Sequence, residues 1–140
     1  MAALNRTAAS LRIFGDDLEP MEITSLLGCE PSAGERKGQE LIGKSTGKVR
    51  IAKTGSWRLS ANKQSPGNLD AQVEEILSKL SPDLSVWHVV TGRFRADLFC
   101  GLFLESPIEG ISISAASLAA LGNRGIELGL DIYGGEASDT

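Results

Sequence analysis

Residues 98–104 (Leu-Phe-Cys-Gly-Leu-Phe-Leu) constrain the fold more than any other stretch. Successive strand residues point to opposite faces of a sheet, so an unbroken apolar run presents apolar side chains on both. A strand with one wet face would alternate instead. The run is far shorter than the ~20 residues needed to cross a bilayer. It therefore predicts a central strand that is either covered on both sides or covered partly by a partner. Residues 94–104 read as one long strand. Residues 86–90, β-branched and aromatic, read as the strand before it, with Thr91-Gly92-Arg93 as a tight hairpin turn between them.

Such a strand needs helices to cover it, and three are legible. Leu69, Val73, Ile76, Leu77 and Leu80 share one helical face, Asn68 is a good N-cap, and Ser81-Pro82 stops the run. A shorter helix opens at Pro20, where a missing N–H costs nothing, carries Ile23, Leu26 and Leu27, and stops at Gly28. A third is capped by Ser114, with Leu118 and Leu121 on its buried side and Gly122 and Gly125 at its end. Residues 11–14, 49–51, 57–59 and 111–113 read as strands. Residues 126–132 alternate apolar and polar, as a half-buried strand with a polar outer face does. The order β-α-β-β-α-β-β-β-α-β predicts an α+β fold: a mixed or mainly antiparallel sheet with about three helices packed on it, in a single-domain sandwich. The domain is placed at residues 9–133, with residues 1–8 as a flexible N-terminus and 134–140 as a flexible tail.

A chain of 140 residues buries about two-thirds of its unfolded surface without help from disulfides or metals. The net charge of -4 argues against nucleic acid, whose binders usually carry a basic patch, and leans weakly toward a basic partner. Cys29 and Cys100 have no metal-ligand spacing and read as free thiols of a reducing compartment. The first ten residues lack the apolar core of a signal peptide, so the expected location is the cytoplasm, with no membrane contact. No cofactor and no metal are expected.

Gly38-Gln39-Glu40-Leu41-Ile42-Gly43-Lys44-Ser45 matches the phosphate-binding pattern G-x-x-x-x-G-K-[ST] at every required position. That chemistry needs a buried strand before the loop and a helix after it, whose N-terminus completes the anion site. Residues 32–37 are too polar for such a strand, and residues 46–50, with Gly47 and two β-branched residues, make poor helix. The stretch reads as a basic loop or hairpin. Its Arg36, Lys37, Lys44, Lys48, Arg50 and Lys53 form a solvated face or a contact for an acidic group.

Other reactive residue types are sparse. The one histidine, His88, reads as structural on its strand, and one histidine cannot build a multi-histidine metal centre. Asp16 and Asp17 stand together at a strand end, where turn formation is their ordinary role. Trp57 and Trp87 read as core anchors, although aromatics are also enriched at interfaces.

The segments around these residues resemble a known family. Leu11-Arg12-Ile13-Phe14-Gly15-Asp16-Asp17-Leu18-Glu19-Pro20, with Ile23 and Leu26-Leu27-Gly28, looks like the opening signature of the bacterial family called domain of unknown function 4279. Pro31, Arg36-Lys37-Gly38 and Trp57 fit its next blocks. Ile113-Ser114, Leu118, Leu121 and residues 126–133 look like its closing helix and strand. The resemblance implies small stand-alone proteins and brings no catalytic residues.

The expected function is a non-enzymatic protein-binding module, most concretely an immunity protein that neutralises a toxin by covering its active site. The competing expectation is a small-ligand site or weak enzyme built from Asp16, Asp17, Arg36, Lys37, Trp57 and Asp131, the polar and aromatic residues of the family-like blocks. The same six are the candidates for partner binding. A homodimer formed by pairing exposed edge strands stands beside the monomer as a third expectation.

Overall fold

The structure is a computed structural model that describes residues 2–134. In chain order the elements are β1 (Ala2–Ala3), β2 (Arg6–Gly15), α1 (Pro20–Leu27), β3 (Ala33–Glu35), β4 (Glu40–Ile42), β5 (Val49–Ile51), β6 (Gly55–Ser60), α2 (Leu69–Leu77), α3 (Leu84–Arg93), β7 (Arg95–Phe103), β8 (Glu109–Gly110), α4 (Ala115–Arg124) and β9 (Glu127–Tyr133). The main sheet has the order β3-β6-β2-β7-β9. All its pairings are antiparallel except β7 with β9, which α4 connects in parallel. This is the mixed-sheet α+β fold expected, with four helices among the described residues rather than three. No described helix is long and apolar enough to cross a membrane.

The helices pack on one face of the sheet: α1 on β6, α2 on β2, α3 on β7 and α4 on β9. The burial of β2 alternates accordingly, with Thr7, Ala9, Leu11 and Ile13 turned inward. Trp57, Trp87, Ile23, Leu69, Ile76 and Leu98 complete a core in which each is 1% exposed or less. Each such side chain contributes on the order of 2 kcal/mol through removal from water. Both tryptophans also satisfy their N–H, Trp57 on Thr24 Oγ1 at 3.1 Å and Trp87 on the Ser81 carbonyl at 2.7 Å.

The local signals at α1 and α2 act as the sequence predicts. Pro20 opens α1, and Gly28 closes it at φ 81°, in the left-handed region. The Asn68 side chain caps α2 by accepting from the Ala71 N–H. Gly55 is required for a different reason. A Cβ there would lie 2.7 Å from the carbonyl oxygens of both Gly15 and Leu18, where β6 passes beneath the turn between β2 and α1.

Four local expectations are corrected. Residues 86–90 are not a strand and residues 91–93 not a hairpin turn; both belong to α3. The Asp83 side chain accepts from the Ser85 N–H and starts the helix, and Trp87 and Val90, three apart, are both driven to 0% exposure. Packing of that pair outweighs the β preference of the valines. Residues 111–113 form no strand; the pairing in that region is β8 with β1. Strand β2 begins at Arg6 rather than residue 11, because Arg6, Thr7 and Ala8 pair with Phe103, Leu102 and Gly101. That places residues 6–8, read as flexible N-terminus, in the sheet. Helix α4 buries Leu121 but leaves Leu118 48% exposed, and it runs past Gly122 to Gly125. Of the tail, residues 135–140 lie outside the described residues.

Candidate functional site

The phosphate-loop pattern folds as something else. Residues 40–42 are strand β4, paired antiparallel with β5, and residues 43–48 turn between them. The Gly43 N–H donates to the Lys48 carbonyl, the Gly47 N–H to the Gly43 carbonyl, and Gly47 takes φ 66°. A hairpin places no helix N-terminus behind Gly43-Lys44-Ser45, so the anion cradle is not formed.

The six sequence-predicted site residues do not converge. Asp16 and Lys37 meet at 3.2 Å, and Lys37 holds the Asp16 carboxyl below the usual carboxylate range, with a further contribution from Thr54. Arg36 lies 3.8 Å from Glu19, beside them, and Asp17 is exposed on the adjacent turn. Trp57 is wholly buried on the helix side. Asp131 lies beside Gly101, which in turn pairs with Ala8. Ala8 is seven residues along β2 from Gly15, a distance of roughly 24 Å at the rise of an extended strand. Asp16, Arg36 and Lys37 therefore share one cleft, and Trp57 and Asp131 do not join it.

His88, the one titratable imidazole, sits exposed on α3 with Nε2 3.1 Å from the Asn123 carbonyl, not on a strand as predicted. Cys100 is enclosed in β7, and burial pushes its thiol up to about 11, while Cys29 is only partly covered; neither is in a disulfide.

Sequence reasoning missed the most distinctive surface, the helix-free face of the sheet. Register builds it row by row. Arg12 on β2 stands between Arg58 on β6 and Asp97 on β7, with Glu127 next in line on β9. Arg6 stands beside Phe103 and Tyr133 in a row at the other end. Between the two lie one row of Ser10, Phe99 and Gly129 and one of Ala8, Gly101 and Asp131, in which Ser10, Ala8, Gly101 and Gly129 make a floor of small residues.

The side chains on this floor are already organised. Arg12 makes two bonds to Asp97, at 2.9 and 2.8 Å, while its guanidinium lies 4.3 Å from the Phe99 ring and 5.1 Å from Phe14. Arg6 lies 4.2 Å over Phe103, which stacks on Tyr133 at 4.8 Å. Arg58 forks onto Glu35 at 3.1 Å through each nitrogen. Gly101 leaves room for these rings: a Cβ there would lie 3.1 Å from the Phe103 ring. The result is a row of aromatic rings with arginines fixed over them. Charge is balanced, with Arg6, Arg12, Arg58 and Arg95 against Glu35, Asp97, Glu127 and Asp131. The signal in the sequence was the two-faced run at 98–104; its second face is Phe99, Gly101 and Phe103.

Over residues 5–135 the chain matches the family described as Domain of unknown function (DUF4279), and it belongs to that family. Neither curated proteins nor solved structures show a match to the chain.

Proposed function

We propose that this protein is a non-enzymatic protein-binding module that docks a partner on the helix-free face of its sheet. One observation carries the reading. The central strands β2 and β7 expose Phe14, Phe99 and Phe103 on that face, only partly covered, each with an arginine held across its ring. Arg, Tyr and Phe are enriched at protein interfaces, and rings and guanidiniums held in place beforehand lose little freedom on binding. The balanced charge favours a mosaic protein surface over a polyanion. The concrete form we favour is an immunity protein that covers a toxin's active site, which suits a small acidic domain that presents a row of aromatic rings on the open face of its sheet.

A second reading, a small-ligand site, has the cleft of Asp16, Glu19, Arg36 and Lys37 in its favour. Its cations already have carboxylates within 4 Å, which leaves less charge for a ligand.

The test is affinity capture from the source cells with three baits: wild type, Phe99→Ser/Arg95→Glu on the open face, and Met21→Ser on the exposed surface of α1. A partner held by wild type and Met21→Ser but lost from the double variant, at unchanged melting temperature, is expected. Equal retention by all three baits would refute the docking face. Failure to protect cells when co-expressed with a toxic product of a neighbouring gene would refute the immunity reading.

A further inference from the structure

Two departures from the sequence pattern meet at the β9 edge of the sheet. The alternation of residues 126–132 demands cover for Leu128, Leu130 and Ile132, yet Leu130 is 44% exposed and Ile132 64%. Leu118, whose helical phase also predicts burial, is 48% exposed on α4, the helix that packs on β9. All three belong to the α4–β9 layer at one margin of the sheet, where no described strand pairs with the outer side of β9. Monomeric proteins blunt such edges with charged side chains, above all lysine, or with proline or a bulge; β9 has no lysine or proline, and its two charges, Glu127 and Asp131, alternate with Leu128, Leu130 and Ile132 and so lie on the other face.

The backbone fixes what can bind there. The Tyr133 carbonyl accepts from the Leu104 N–H, so in this parallel ladder Tyr133, Asp131, Gly129 and Glu127 direct their backbone groups at β7. Leu128, Leu130 and Ile132 direct theirs outward. An added antiparallel strand must match these three residues.

We infer that β9 pairs with β9 of a second copy of this chain, antiparallel about a two-fold axis at Leu130. Charge excludes the two neighbouring registers, and axes further along at Leu128 or Ile132 pair fewer residues of β9. Centring the axis on Asp131 sets Asp131 against its own copy, and centring it on Gly129 sets Glu127 against Asp131 on both sides of the axis. Like charges facing each other across a strand pair are destabilising. Centred on Leu130, Asp131 faces Gly129 and Glu127 faces Tyr133. Leu130 then meets its copy, and Leu128 meets Ile132 twice, which closes the apolar strip that each chain leaves open. Such a contact is isologous, with the same patch used on both subunits. The two five-stranded sheets become one, and the open faces run on into each other. This inference does not rest on the protein-binding reading, since it uses the edge of the sheet and not its face.

The test combines light scattering on a sizing column with site-specific cross-linking, in a Cys29→Ser background. The wild type is expected to run as a concentration-dependent dimer. Leu130→Lys, which places two ammonium groups at the axis, is expected to weaken dimerisation at least about tenfold, or ~1.4 kcal/mol, while melting as the wild type does at concentrations where both are monomers. With a short bismaleimide, Leu130→Cys is expected to join two chains, because facing strand residues have Cα atoms about 5.5 Å apart. Ile132→Cys alone is not, because its copy lies four residues along the strand, roughly 13 Å away. A monomer at all concentrations, a dimer indifferent to Leu130→Lys, or cross-linking at Ile132→Cys instead would each overturn it. So would a monomer that gains a strand only from a different protein.

Discussion

Deleting the Thr7 hydroxyl tests whether buried polar closure holds the sheet to α2. Gln72 is 0% exposed. Its Oε1 accepts from Thr7 Oγ1 at 2.8 Å, and its Nε2 donates to the carbonyls of Thr7 and Asn62, both at 2.9 Å. Thr7 Oγ1 in turn accepts from the Asn68 N–H at 3.0 Å, at the cap of α2. Thr7→Val keeps the shape and strands Gln72 Oε1 without a donor, which costs about 1–3 kcal/mol. The Asn68 N–H belongs to an exposed residue and turns to water at little cost. The added methyl group recovers up to ~0.8 kcal/mol. The net expectation is a loss of about 1–2 kcal/mol, or roughly 3–7 °C in melting temperature for a domain of this size. Gln72→Leu removes the acceptor, and the Thr7 carbonyl keeps the Gln64 N–H at 3.0 Å. The double variant Thr7→Val/Gln72→Leu should therefore be more stable than Thr7→Val alone. Urea and thermal unfolding at neutral pH give all four corners of this cycle, provided the urea slope is unchanged. A neutral Thr7→Val, or a double variant at or below the sum of the singles, would refute the reasoning.

Two further outcomes follow from α4 and the cysteines. Asp70 accepts from the Ser114 N–H at 2.9 Å and the Ser117 hydroxyl at 2.7 Å, tying α2 to the start of α4, and these bonds hold its carboxyl below the usual carboxylate range. Asp70→Ala should cost about 1 kcal/mol at neutral pH. A depressed value in the folded state stabilises above the unfolded pKa of ~3.9 and is lost as pH falls through the folded one. The gap between wild type and variant in urea midpoint should therefore narrow from pH 5 downward; a constant gap would contradict the ion's role. Thiol titration with a disulfide reagent should find Cys29 promptly in the native protein and Cys100 only on unfolding, since Cys100 is 0% exposed and its thiol is pushed up to about 11. Equal reactivity of the two would contradict the packing of β7.

Elements that carry their own punctuation were legible in the sequence. Pro20 and Gly28 bracket α1, and Asn68 with the stripe from Leu69 to Ile76 marks α2. α3 was not, because Val86, Val89 and Val90 carry β preference, which the Asp83 cap and the contact of Trp87 and Val90 with the rest of the core together outweigh. For the candidate site, residue type was readable and adjacency was not. Arg12 and Asp97 are drawn together by β2 and β7, and Trp57 is drawn away from Asp16 by the inward phase of β6. Leu118 and Ile132 mark where amphipathic phase states what should be covered without stating what covers it.

The placement of β2 at the middle of the sheet has a consequence in time. Residue 7 ends beside residue 102, so the strand made among the first is completed by one made near the last. At a synthesis rate of about 5–20 residues per second, the second edge of β2 waits roughly 5–19 s for β7. The β6 strand arrives earlier and closes only the other edge. Throughout that interval Leu11 and Ile13 lack the neighbours that later seal them. The growing chain is thus most prone to wrong pairings at the strand that, once finished, is the best protected part of the molecule.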